Sequence, residues 1–154
     1  NVFAVGESPV DLAVDPTGKF LFVVNKHSNN LSVFSIHFHA GRLEAVKGSP
    51  FVSGKAPISV AIHRSGKFVY VLNAGSQSIS AYRMDGISGQ LTVVPVRVDA
   101  GKQPLKIHLS SNGRFAYVQN AGSSGLRKYA VDINTGQLTF SGVTDVGPII
   151  TVAR

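Results

Sequence analysis

Three polar side chains lie in short, mostly apolar segments and are the residues best suited to chemistry. Lys106 and His108 are separated by one residue in segment 105–109, and Asp11 lies in the related segment 10–14. Residues two apart in an extended strand point to the same side, so Lys106 and His108 would share one surface. A lysine can bind an anion and a histidine can act as a general base. We therefore treat Asp11, Lys106 and His108 as candidate ligand-binding residues, although an ordinary solvated surface is the interpretation that their residue types favour.

The other histidines are weaker candidates. His37 and His39 are two apart on a predicted strand, and two histidines on one side of a strand can bind a metal ion. A third ligand is not visible, so we interpret them as exposed strand histidines and predict no metal site. His63 and Arg64 occupy a turn whose counterparts elsewhere in the chain carry other residue types, and we interpret them as turn substitutions.

The composition excludes several kinds of active site. There is no cysteine, which rules out disulfides, thiolate metal sites and a cysteine nucleophile. The chain has only 8 aspartate and glutamate residues, and it contains neither a glycine-rich phosphate loop nor a nucleophile elbow. We therefore assign no catalytic residue and predict no cofactor.

The net charge of +7 would suit nucleic acid or another anionic partner. The basic residues are spread along the chain, however, and no basic run is longer than Arg127-Lys128. We predict a basic surface without a nucleic-acid partner and keep an anionic small molecule as a candidate ligand. No segment has the roughly 18 consecutive apolar residues of a transmembrane helix, so no membrane partner is predicted.

An internal repeat of about 47 residues organises the chain and positions these side chains. Each unit has a Gly-x-x-Pro turn, then a glycine before a basic residue and a phenylalanine, then an asparagine, and finally a glycine two residues before a leucine. The matching positions are Gly6, Gly54 and Gly101; Gly18, Gly66 and Gly113; Asn25, Asn73 and Asn120; and Gly41, Gly89 and Gly136. A residue type that recurs in every unit is architectural, because an active site would occur once.

Each unit contains four predicted strands separated by turns, in an all-β chain. The first three strands of each unit cover 10–14, 58–62 and 105–109; 19–25, 67–73 and 114–120; and 30–36, 78–84 and 125–131. An outer strand follows the Gly-x-Leu turn. Four antiparallel strands per 40 to 50 residues are typical of β-propeller blades, so the sequence predicts three such blades in an incomplete ring.

The predicted blades cover 6–53, 54–100 and 101–146. Residues 1–5 are predicted to be the outer strand of a preceding blade, and 147–154 the inner strand of a following one. Because a blade buries both faces against its neighbours, three blades would leave two apolar faces uncovered. We expect them to be covered by further blades of the same longer chain, or by a symmetry-related copy, which is the less favoured alternative.

The repeated motif resembles that of a known family. Its best copies are Asp15-Pro16-Thr17-Gly18-Lys19-Phe20-Leu21-Phe22-Val23-Val24-Asn25, segments 68–73 and 115–120, and the closing Gly48-Ser49-Pro50-Phe51. They resemble the seven-bladed propellers of the lactonase and YVTN-repeat group, which includes 6-phosphogluconolactonase-like and carboxymuconate-cyclase-like proteins. The resemblance implies a histidine on the inner strand directly after the proline-containing turn. Those positions are Val10, Ile58 and Leu105 here, so that residue is missing from all three blades.

Three functions remain open on these observations. The favoured one is a non-catalytic propeller module that serves as a binding scaffold for a ligand or a protein. The alternative, implied by the resemblance, is a portion of a lactonase-type hydrolase or cyclase that acts on a sugar lactone or a carboxylated lactone. A nucleic-acid-binding propeller is the least favoured hypothesis.

Overall fold

Three antiparallel sheets follow one another along the chain in a computed structural model that describes residues 2–145. The first sheet contains β1 Pro9–Val14, β2 Phe20–Asn25, β3 Asn30–His37, β4 Arg42–Ala45 and β5 Phe51–Val52. The second contains β6 Pro57–Ile62, β7 Phe68–Asn73, β8 Ser78–Met84, β9 Leu91–Val93 and β10 Val98–Asp99. The third contains β11 Pro104–Leu109, β12 Phe115–Asn120, β13 Gly125–Val131 and β14 Leu138–Asp145. This is the all-β, unclosed propeller that the repeat predicts.

The second strand of each sheet is rich in aromatic and β-branched residues, which suit a strand buried on both faces. All six residues of β7 are buried, because the other two sheets pack on either side of it. In β12, Phe115 and Tyr117 are only half-buried and Gln119 is exposed, since their face contacts no described sheet. Burial of the second strand therefore depends on having a neighbouring blade on each side.

The outer strand differs between the blades. In the first two sheets it is divided into two short segments that both pair with the third strand, β4 and β5 with β3, and β9 and β10 with β8. Pro50 and Pro95 lie in the two interruptions, and proline cannot donate a ladder hydrogen bond. The third sheet has no proline in this region, and β14 is continuous over eight residues.

Neighbouring sheets pack through the glycine of the Gly-x-Leu turn. A β-carbon on Gly89 would lie 2.5 Å from the Phe20 ring, and one on Gly136 would lie 2.3 Å from the Phe68 ring. Each phenylalanine thus covers the turn of the following blade, and only glycine leaves it room. The two buried clusters lie between the first and second sheets and between the second and third.

The two predicted terminal strands remain predictions. Residues 2–6 precede β1 and form no strand in the described part of the chain, so the outer-strand assignment of 1–5 stays a prediction. The inner strand predicted at 147–154 lies outside the described residues. Over 2–145, no helix is long and apolar enough to cross a bilayer.

Candidate functional site

The inner strands β1, β6 and β11 each form one edge of their sheet, with β6 in contact with both of the others. Because each pairs on one side only, its other edge presents backbone N–H groups toward the centre of the blade array. The Val60 N–H on β6 donates to Asp11 Oδ2 at 2.9 Å, and the Ile107 N–H on β11 donates to Ser59 Oγ at 3.4 Å. A polar side chain of one blade therefore satisfies the free edge of the next.

Lys106 occupies the position that corresponds to Asp11 and Ser59, but it cannot perform the same function. An ammonium group has three hydrogen-bond donors and no acceptor, so it cannot accept a hydrogen bond from a backbone N–H. Its Nζ instead extends back across the inner edge of β6 and lies 3.3 Å from Asp11 Oδ2. The Asp11 side chain is 19% exposed and that of Lys106 is 43% exposed, so the pair is accessible to solvent.

The structure therefore brings two of the three candidate residues into contact. His108 lies two residues beyond Lys106 on β11, with its side chain exposed. It is on the same face of the strand as Lys106, as the period of two predicts. The sequence contained no signal for the contact between Asp11 and Lys106, because nothing local connects residues 95 positions apart.

The residues directly after the turn prolines cannot take part in acid–base chemistry. Val10 and Leu105 are exposed apolar residues directly after the turn proline, and Ile58 at the same position is half-buried. None of the three can exchange a proton. The Asp11–Lys106 pair can bind a polar ligand through its charged groups.

The repeated asparagines at the ends of the second strands are buried. The Asn25 amide donates to Ser32 Oγ and the Asn73 amide to Ser80 Oγ, both at 2.9 Å. Asn120 has no such serine and donates instead to the Ala100 and Lys102 carbonyls. Hydrogen bonds from these side-chain amides fix the end of the second strand against neighbouring residues of the blade.

The histidines of the blade turns and strand ends have structural partners. His63 is buried, donates from Nε2 to the Gly113 carbonyl at 2.8 Å, and accepts the Ser65 N–H at Nδ1. It thereby connects the turns of the second and third blades. The placement of His39 on a strand was wrong, because β3 ends at His37 and His39 lies in the following turn. His37 pairs with Glu44, and no group of three metal-binding side chains occurs in the described part of the chain.

Two tyrosines that the sequence did not single out also connect the blades. The Tyr82 hydroxyl donates to the Val52 carbonyl and the Tyr129 hydroxyl to the Asp99 carbonyl, both at 2.6 Å. Each acceptor lies on the last outer segment of the preceding blade. Burial raises the pKa of Tyr82 to about 12. The signal that could have revealed them is their shared place on the third strand of the repeat.

Nearly the whole chain matches one protein family. Residues 1–60 and 53–152 match the family described as "Lactonase, 7-bladed beta-propeller". A 6-phosphogluconolactonase of Formosa agariphila is 44% identical over 39 residues, which are 25% of this chain and 11% of that protein.

Solved structures share the fold over most of the chain. The periplasmic gluconolactonase of Pseudomonas aeruginosa matches with a TM-score of 0.76 and 28% identity, covering 92% of this chain and 41% of that one. A protein of Bacteroides uniformis matches with a TM-score of 0.79 and 21% identity, covering 90% and 40%. The chain thus spans about two-fifths of the length of these relatives.

Proposed function

The chain belongs to the lactonase family of seven-bladed β-propellers, and on that premise we propose that it is part of an enzyme that hydrolyses a sugar lactone. The match to this family over nearly the entire chain is the observation that carries the proposal. The relatives named as a gluconolactonase and a 6-phosphogluconolactonase support it. These findings favour the lactonase alternative over the scaffold interpretation that the amino-acid sequence favoured.

The described blades can supply substrate binding. Hydrolysis of a lactone requires water to attack the ring carbonyl, with a base to accept its proton and hydrogen-bond donors to stabilise the developing oxyanion. The Asp11–Lys106 pair on the inner edge offers charged hydrogen-bonding groups at the place where propellers bind ligands. The position directly after the turn proline holds the apolar Val10, Ile58 and Leu105, so a base at that position has to come from another blade.

We infer that further propeller blades of the same longer chain supply that base. The far face of the first sheet exposes Val10, Leu12 and Val14, which are 46%, 62% and 47% exposed. Corresponding inner-strand residues between the blades, such as Val60 and Ile107, are buried. A neighbouring blade would cover the exposed valines and leucine in the same way, and the relatives are long enough to contain such blades.

The experiment compares the complete protein with the 154-residue chain, using gluconolactone and following acid release at constant pH. Spontaneous hydrolysis is subtracted with heat-denatured protein. We expect turnover by the complete protein and none above background by the 154-residue chain. A folded complete protein that hydrolyses neither gluconolactone nor its 6-phosphate would contradict the proposal and favour a binding scaffold. Turnover by the short chain alone would contradict the inference that other blades supply the base.

A further inference from the structure

Lys106 differs in residue type from the corresponding positions of the other two blades, and the packing of the blades does not require a lysine there. At the corresponding positions, Asp11 and Ser59 each accept a backbone N–H from the next inner strand. Lysine has no acceptor and cannot stabilise a strand edge in this way. Its ammonium group instead lies beside the Asp11 carboxylate, on the inner edge of the middle blade. The third blade therefore has a charged group toward the centre of the array at the position where the first two blades have a hydrogen-bond acceptor.

The pair retains hydrogen-bonding capacity on both partners. Asp11 Oδ2 accepts from the Val60 N–H and from Lys106, and Oδ1 accepts from the Leu12 N–H at 3.0 Å. A carboxylate has about four acceptor positions, so one remains on Oδ1. An ammonium group has three donors, and the bond to Asp11 engages one of them. An acceptor and a donor are thus available side by side.

We propose that Asp11 and Lys106 form a subsite for two neighbouring hydroxyl groups of a polyhydroxylated, uncharged part of the substrate. This inference rests on the proposed lactonase function and specifies its substrate class. One hydroxyl donates to the Asp11 carboxylate, and its neighbour accepts from the Lys106 ammonium group. A simple anion fits less well, because the Asp11 carboxylate already balances the charge of Lys106 and would repel a second negative group.

The geometry also gives the subsite a defined shape. Asp11 is held at Oδ1 and Oδ2 by two backbone N–H groups, so its carboxylate cannot rotate freely. Lys106 is held by Asp11 and retains 43% exposure of its side chain. A fixed acceptor and a partly fixed donor lose little freedom when a ligand binds, which favours a diol over a single hydroxyl.

The test uses the complete protein and three variants: Lys106→Met, which keeps the apolar stem; Asp11→Asn, which keeps an acceptor for the Val60 N–H; and the control Lys55→Met. Lys55 is exposed in the turn that precedes β6. For Lys106→Met and Asp11→Asn, we expect the KM for gluconolactone to rise about 10-fold, the effect of one lost hydrogen bond. The KM for unsubstituted δ-valerolactone should not change, and Lys55→Met should match the wild type for both lactones.

A binding measurement separates this inference from the proposed function. Calorimetric titration with the polyol glucitol needs no turnover, and it should show binding that is weakened by Lys106→Met and unaffected by Lys55→Met. Loss of glucitol binding in Lys106→Met would support the subsite even if no lactone were hydrolysed. Equal KM changes for both lactones would overturn it, as would inorganic phosphate binding at Lys106 without glucitol binding. Unchanged glucitol affinity in a folded Lys106→Met protein would also overturn it.

Discussion

The blade turns at Gly66 and Gly113 permit a direct test of how neighbouring blades are held together. Both glycines occupy the same repeat position and have nearly the same backbone geometry, with φ values of +71° and +72°. A β-carbon on Gly66 would meet nothing within 4 Å, whereas one on Gly113 would lie 2.6 Å from His63 Nε2. The substitutions Gly66→Ala and Gly113→Ala therefore share the backbone strain and differ only in the contact with the preceding blade.

The expected magnitudes follow from this difference. A β-carbon in the left-handed region costs about 1 kcal/mol, which both variants should lose. In Gly113→Ala the new methyl group also displaces His63 from the hydrogen bond that it donates to the Gly113 carbonyl. Overpacking and the lost bond together should add about 2 kcal/mol. We expect Gly113→Ala to be about 2 kcal/mol less stable than Gly66→Ala.

Urea unfolding followed by tyrosine fluorescence and circular dichroism measures both values, since the chain contains no tryptophan. The substitution His63→Asp provides a second arm of the experiment. Asp15, the first-blade counterpart of His63, accepts the Lys19 and Phe20 N–H groups within its own turn, both at 2.8 Å. An aspartate at 63 should do the same and leave room for a methyl group at 113.

The double variant His63→Asp/Gly113→Ala should then be more stable than the sum of the single effects predicts. Equal losses in Gly66→Ala and Gly113→Ala would refute the reasoning, because the contact with His63 would then contribute nothing. Strict additivity in the double variant would refute it as well.

Three further predictions concern the same framework. Gln103 has a φ of +47° before Pro104, so Gln103→Gly should relieve strain and raise the stability to urea by about 0.5 kcal/mol; a clear loss would show that the backbone there is not strained. Tyr129→Phe should lower the stability by about 1 to 2 kcal/mol, because the hydroxyl that bonds the Asp99 carbonyl is lost; an unchanged unfolding midpoint would contradict this. Burial raises the pKa of Tyr82 from 10.0 to about 12, so the unfolded chain releases this proton first. The contribution of Tyr82 to the free energy of unfolding should therefore be fully present below pH 10 and be lost as the pH rises toward 12. An absorbance titration should show one tyrosinate that forms at a higher pH than an exposed tyrosine does. Ionisation of all tyrosines near pH 10 in the folded protein would contradict this.

The sequence predicted the blade architecture well, and the reason is local. Strand, turn and loop residues recur in every unit, and their preferences depend on near neighbours in the chain. The strands after the Gly-x-x-Pro turns, for example, were predicted at 10–14, 58–62 and 105–109 and begin one residue earlier, at the proline. The outer strand was predicted less well, because its interruptions near Pro50 and Pro95 depend on where a missing N–H disturbs pairing.

The candidate site could be predicted only in part. Asp11, Lys106 and His108 stood out as polar residues on inner strands, and the shared strand face of Lys106 and His108 followed from the period of two. The sequence did not indicate that Asp11 and Lys106 touch. His39 was placed on a strand, although β3 ends two residues earlier, because the alternation of side chains does not show where pairing stops.

The amino-acid sequence by itself determined the fold class, the repeat and the residue types on each inner strand, because these depend on short-range preferences. Only the tertiary structure decided which side chains meet across blades. The contact between Asp11 and Lys106 requires β1 and β11 to lie on either side of β6, and the contact between His63 and Gly113 requires two turns to stack. Such distances are set by how whole sheets pack, which no single segment encodes. For that reason the break in the repeat at Lys106 was visible in the sequence, whereas its partner was not.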